Sequence, residues 1–205
     1  ESAARLQEMI AKTNSASVLG IDAHLVDVEV DVSIGLSTFN IVGLPDGTIK
    51  ESRDRVTAAV TNSGFNFPVR RIVVNLAPAA LRKIGSGFDL PIALALLGAL
   101  RYFPQQALEK VMAVGELSLD GAIRPIRGIL PVVVAARDQG FEQLILPKEN
   151  EAEAAVVEEI RRVPVKSLDE VVRYLQGQLE IQPTLYNPRK LFEAKRVYRE
   201  DFQDV

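Results

Sequence analysis

Few side chains in this sequence can do chemistry, and their types exclude more than they permit. There is no cysteine, which rules out disulfides, thiolate metal sites and thiol nucleophiles. His24 is the single histidine, so a histidine-rich metal site is excluded, and a solvent-facing strand residue is the expected role. Asp27, Glu29 and Asp31 fall on one face of one strand, a spacing that suggests a cation site. Oxygen-only sites draw their ligands from loops, so a solvated polar face is the expectation and no metal site is predicted. Lys50, Arg53 and Arg55, the pair Arg70 and Arg71, and Arg82 with Lys83 are candidate phosphate contacts. Phosphate binding needs such cations to converge, each displacing condensed counterions. Lys50, Arg53 and Arg55 equally suit ion pairs with Glu51 and Asp54 on an ordinary solvated helix, and both readings stay open. No G-x-x-x-x-G-K-[ST] phosphate loop occurs, so ATP binding of that type is not expected in this piece.

The 205 residues suffice for one sizeable core, and 47% hydrophobic with 25% charged residues is ordinary for a globular protein. A formal net charge of -3 gives no bulk attraction for nucleic acid, so any DNA contact needs a local basic patch. Residues 1–7 are polar, without the apolar stretch of a secretory signal. The apolar run 90–100 is well short of the ~20 residues that span a bilayer and reads as a buried core helix. No membrane partner and a cytoplasmic location are the expectations.

The elements that must position these groups read as follows. Residues 1–12 form an N-terminal segment, with a short helix over 2–10 or a remnant of cloning as alternatives. Strands are predicted over 15–19 and 25–32, the second with Val26, Val28, Val30 and Val32 on one face. A third over 38–42 belongs to a hairpin-like region bounded by Gly35 and the turn at 43–47. A helix capped by Asp46 carries Ile49, Val56, Ala59 and Val60 inward and stops at Gly64. A strand over 71–76 is rich enough in β-branched residues to be buried without alternation. A glycine loop over 77–88 leads to the core helix from Asp89. Further elements are a strand over 111–119, a tight turn at 120–121 with a return at 123–124, and a helix over 128–139. A strand over 143–146, an acidic helix over 149–160, a strand over 163–165 and a helix over 168–176 complete the fold. Strands mixed with covering helices imply an α/β (α+β) sandwich over 13–176. Residues 177–205, with a basic stretch from Arg189 to Arg199, read as a linker.

Two sets of segments carry a specific resemblance. Gly115-Glu116-Leu117-Ser118-Leu119-Asp120-Gly121, with Pro125-Ile126-Arg127-Gly128 and Leu146-Pro147-Lys148-Glu149-Asn150, resembles the second half of the Lon protease catalytic domain. Phe39-Asn40-Ile41-Val42-Gly43-Leu44-Pro45, Lys50-Glu51-Ser52-Arg53, Asn75-Leu76-Ala77-Pro78 and Gly87-Phe88-Asp89-Leu90-Pro91 resemble the ComM/YifB family. Several long motifs in the right order, covering about 9–175, make a stronger signal than any lone glycine pattern. The resemblance implies a Lon-protease-domain-like fold, of the ribosomal-protein-S-five domain-two-like kind. It also implies that this domain precedes a magnesium-chelatase-like AAA+ ATPase module, absent here, where ATP and Mg would bind.

Lon-type peptidases use a serine activated by a lysine within hydrogen-bond reach. Matched to that pattern, Gly87 stands where the serine belongs and Leu130 where the lysine belongs, so the dyad is expected to be absent and the piece not an enzyme. Ser86 and Lys83 are the nearest hydroxyl and amine, and a register shift would make a cryptic Ser/Lys peptidase of them. Asp89 is expected to cap its own helix. A similar aspartate stands in the Lon-like domain of the recombination protein RadA, which this domain also resembles.

The family resemblance implies a ring-forming DNA motor, hexameric when complete, that acts in branch migration during natural transformation. The leading expectation is therefore a non-catalytic assembly and DNA-facing domain, with self and DNA as partners. Its candidate DNA contacts are Lys50, Arg53, Arg70, Arg71, Arg82 and Lys83. The alternatives are the cryptic peptidase, or a regulatory module binding a ligand in the vestigial cleft near 85–88.

Overall fold

A computed structural model of the chain describes residues 9–185. Its centre is a hairpin. Strand β1 (Met9–Leu19) pairs with β2 (Asp22–Ser33) in unbroken antiparallel register from Met9↔Val32 to Leu19↔Asp22. The valines at 26, 28, 30 and 32 are buried while their polar neighbours face out, and this alternation fixes the register, because a one-residue slip would turn all four to solvent. β1 starts at Met9, so the boundary expected at residue 13 moves outward, and Met9 and Ile10 are strand rather than helix. Residues 1–8 lie outside the described residues.

The sheet has seven strands and is mixed, with most neighbours parallel; in spatial order they are β3 (Thr38–Val42), β4 (Arg71–Ala77), β2, β1, β5 (Val111–Ala113), β8 (Gln143–Pro147) and β9 (Arg161–Val165). β3 (Thr38–Val42) does not fold back on β2 as the hairpin reading expected; it lies parallel to β4 (Arg71–Ala77), joined through helix α1 (Gly47–Asn62). β4 in turn alternates, against expectation: Ile72, Val74 and Leu76 are buried beneath the helices and the residues between them are half exposed. The glycine loop and a short 3-10 turn at Ser86–Phe88 enter α2 (Asp89–Ala99), every residue of which is buried. Its apolar surface on all sides needs cover on all sides, and each buried leucine contributes about 1.5–3 kcal/mol.

The strand predicted over 111–119 is broken. β5 (Val111–Ala113) stays in the main sheet, and β6 (Glu116–Leu117) forms a separate ribbon with β7 (Ile123–Arg124). The chain leaves the sheet between them: the Gly115 N–H donates to the Gly87 carbonyl at 3.0 Å, and the Leu90 N–H donates to the Gly115 carbonyl at 3.0 Å. α3 (Ile129–Asp138) and β8 (Gln143–Pro147) follow as expected. The acidic helix is cut to a single turn, α4 (Glu151–Ala154), because the chain must reverse to lay β9 (Arg161–Val165) parallel to β8, and Glu159 takes a left-handed φ of 69° on the way. α5 (Leu168–Leu175) is capped by Ser167.

Helices α1, α2 and α5 cover one face and share the larger core with the β2 valines, while α3 covers the other face over Met112, Leu144 and Leu146. The α/β architecture expected from the alternation of elements is therefore present. Structure also continues past residue 176, where a linker was expected. Ile181 is buried and Leu179 packs on the core, and the Arg161 guanidinium donates to the Ile181 carbonyl at 3.4 Å. The basic stretch from Arg189 to Arg199 lies outside the described residues. Among the described residues, no helix is long and apolar enough to cross a membrane.

Candidate functional site

The glycine-rich motifs converge on one polar junction. Asp46 caps α1 by accepting from the Ile49 N–H at 2.9 Å, and its other oxygen accepts from the Gly85 N–H at 3.3 Å. Gly43 passes against β4 so closely that a Cβ there would lie 2.1 Å from the Leu76 carbonyl oxygen, and its φ is 99°. The Lys83 ammonium is buried and donates to the Gly43 carbonyl at 2.8 Å and to the Pro78 carbonyl. Burial pushes this amine below its ordinary pKa. Lys83 therefore locks the glycine loop to the turn after β3, which corrects its reading as a phosphate contact.

Asp89 is fully buried, and it does not cap its own helix. Its carboxylate accepts from the Arg55 Nε at 2.6 Å, from Arg55 Nη2 at 3.0 Å, from the Leu117 N–H at 3.1 Å and from the Ser52 hydroxyl. Burial pushes the Asp89 carboxyl up, and the donors from Arg55, Ser52 and Leu117 oppose that push. The same hydrogen bond raises the Arg55 guanidinium further. Ser52 and Arg55, one turn apart on α1, thus fasten that helix to α2 and β6. The sequence offered both residues, but their partner lies 34 or more positions away.

Beside this junction is a cleft of about 290 Å³. It opens where β1 and β5 part, since Asn14↔Met112 is their one registered pair. Ala16, Val18 and Val132 line its apolar side, with Ser86, Gly87, Glu116 and Arg127 at its polar side. The Ser86 hydroxyl donates to the Glu116 carboxylate, so Ser86 and Lys83 are committed to different partners. Gly87, the expected serine position, lines this cleft, with Ile126 about where its side chain would reach: a Cβ would meet Ile126 at 3.5 Å. Leu130, the expected lysine position, lines a different groove, between the β1–β2 turn and α3. Asn150 of the P-x-E-N motif holds the cleft wall, accepting from the Ile126 N–H at 2.9 Å and donating to the Ile126 carbonyl at 3.0 Å.

The candidate DNA contacts do not form one surface. Arg55 is consumed by Asp89 and Glu51, Arg53 pairs with Asp54 at 3.0 Å, and Lys83 is buried. Lys50 and Arg82 are exposed near the Asp46 turn, at the far end of β4 from the exposed pair Arg70 and Arg71. Seven residues of strand separate the two ends, about 20 Å. Arg70 and Arg71 make no ion pair among the described residues. Of the acidic stripe on β2, Asp27 pairs with Lys12 at 2.7 Å and Glu29 accepts from Asn75 at 2.8 Å, while His24 is exposed.

Comparison with known proteins places residues 28–150 in the family model described as subunit ChlI of Mg-chelatase. The uncharacterized protein Rv2897c of Mycobacterium tuberculosis is 42% identical over 168 residues, which is 82% of this chain and 33% of the relative. Competence protein ComM of Haemophilus influenzae is 40% identical over 169 residues, with coverage of 82% and 33%. The uncharacterized protein YifB of Escherichia coli is 36% identical over 192 residues, with coverage of 94% and 37%. Lon proteases match more distantly, at 24% identity for that of Trichlorobacter lovleyi over 80% of this chain and 21% of the enzyme. The chain therefore spans about a third of the length of the ComM and YifB relatives it matches.

Proposed function

Because this chain belongs to the Mg-chelatase subunit ChlI family and is similar to ComM and YifB, we propose that it is a non-hydrolytic assembly domain of a longer AAA+ ATPase. In that reading it arranges subunits in a ring, hexameric in the complete protein, that works on DNA during branch migration and natural transformation. ATP and Mg²⁺ bind elsewhere in the longer protein; the glycine loop of this chain lacks the lysine-serine or lysine-threonine pair of a phosphate loop and its one lysine is buried. The observation that supports the reading is that neither expected dyad position offers a reactive group: Gly87 lines the cleft and Leu130 the adjoining groove, with neither a hydroxyl nor an amine at either.

Two measurements test it. A serine-reactive fluorophosphonate probe should leave Ser86 unlabelled, and labelling there would favour a cryptic peptidase. DNA binding measured at low and moderate salt tests the DNA-facing part, for which Arg70 and Arg71 are the residues best placed. Binding that weakens with salt and is lost in Arg70→Ala/Arg71→Ala supports it; no binding at low salt leaves a scaffold that touches DNA only through the rest of the protein.

A further inference from the structure

Two of the apolar surfaces exposed among the described residues lie at opposite ends of β2. At one end the β2–β3 loop presents Ile34 and Leu36, 68% and 88% exposed, beside Val69, 85% exposed. These loops lie together: the Thr38 N–H donates to the Arg70 carbonyl at 3.3 Å, and a Cβ on Gly35 would touch Arg71 at 3.4 Å. Arg70 and Arg71, both exposed, adjoin Val69 in this patch, and Asp31 lies two residues before Ser33, the register partner of Arg71. At the other end Ile21, 88% exposed at the hairpin tip, faces a groove of about 680 Å³ walled by Leu130, Pro131 and Val134. The charged side chains lining it are both carboxylates, Asp22 and Asp138. Asp138 shares its charge with Arg137 at 2.8 Å, whereas Asp22 makes no ion pair among the described residues.

One end is thus an exposed apolar pair of loops with a basic excess, and the other a groove that is apolar and acidic. Twelve residues of strand keep them about 40 Å apart, so they cannot meet within one chain. We propose that they are the two halves of a single head-to-tail junction between copies of this chain. In it Ile34, Leu36 and Val69 of one copy seat in the Ile21–Leu130 groove of the next, and Arg70 and Arg71 face Asp22. A second copy is the occupant because each half supplies the shape and the charge the other lacks. The halves differ, so the contact is heterologous and repeats from copy to copy until a ring closes or a chain grows. This rests on the assembly reading above and specifies its surface.

Sedimentation velocity of this chain across a concentration series, without DNA, tests the junction. The chain should associate, and Leu36→Asp or Ile21→Asp should each weaken association by about tenfold or more, since each puts a charge into a desolvated apolar contact. Both positions are exposed, so thermal melts of the variants should match the parent. An equimolar mixture of the two variants should give a dimer and nothing larger, because only one good junction can form between them. Association that both variants retain, or a mixture that stays monomeric, overturns this junction while leaving assembly standing. A chain that is monomeric at every concentration overturns both, and assigns the two patches to other parts of the longer protein. Arg70→Ala/Arg71→Ala should also weaken association, because it removes the charges that face Asp22; association unchanged in that variant overturns the charge pairing of the junction, whatever the variant does to DNA binding.

Discussion

Arg55 and Asp89 meet at 2.6 Å across the junction of α1 and α2, joining two residues 34 positions apart in sequence. The contact withdraws a guanidinium from the surface and places a fully buried carboxylate between α1, α2 and β6. A buried pair of this kind contributes little net stability when compared with apolar replacements, but breaking one side is costly.

Asp89→Asn or Arg55→Met should therefore each lose about 3–5 kcal/mol of stability, by leaving one buried polar partner uncompensated. Urea unfolding checks this, together with the double variant Arg55→Met/Asp89→Leu. The double variant should lose clearly less than the sum of the singles; strict additivity would mean that the two side chains do not act as a pair.

Lys83→Met should destabilise by about 1–3 kcal/mol for each carbonyl it orphans, those of Gly43 and Pro78. DNA affinity should be unchanged, because the ammonium is buried and cannot reach a phosphate. A shallower salt dependence of DNA binding in this variant would restore Lys83 as a phosphate contact.

Gly43→Ala and Gly85→Ala should part company although both glycines have positive φ, 99° and 94°. At Gly43 the new Cβ would lie 2.1 Å from a backbone oxygen of β4, so the variant should fail to yield soluble folded protein. At Gly85 nothing lies within 4 Å, and the cost should be about 1–3 kcal/mol of backbone strain. Expression and thermal melting of the two side by side decide the matter.

Glu151 supplies a pH dependence. Burial pushes its carboxyl up, but the Lys148 ammonium and the Thr184 N–H and hydroxyl outweigh this and hold it below the ordinary carboxylate range. A carboxyl whose folded pKa is depressed adds stability above its unfolded pKa, and that share is lost as pH falls through the folded value. Stability should fall on acidification below about pH 4.3, the ordinary glutamate value, and Glu151→Gln should flatten that limb. Denaturant midpoints across the acid range measure it, and an unchanged slope in the variant would remove Glu151 from the account.

Much of the fold was legible because it rests on local signals. The β2 valines announced a two-faced strand, Asp46 and the apolar spacing after it announced α1, and the run after Asp89 announced a helix buried on all sides. The errors fall where tertiary geometry overrides local preference. Residues 149–160 have good helix formers, yet the parallel pairing of β9 with β8 stops the helix after one turn. β4 has the β-branched richness of a strand buried on both faces, but its position in the sheet leaves one face half open.

The site divides in the same way. Residue identity alone determined that neither Gly87 nor Leu130 carries a hydroxyl or amine, that no cysteine chemistry exists, and that no phosphate loop is present. Only the tertiary structure decided that Lys83 is an interior clamp, that Asp89 answers Arg55 rather than its own helix, and that the six expected cations do not gather. Each of those outcomes depends on burial and on partners tens of residues away. A charged side chain has no fixed role in a sequence: its role is set by whether folding leaves it in water or surrounds it with donors and acceptors, and that is a property of the packed chain.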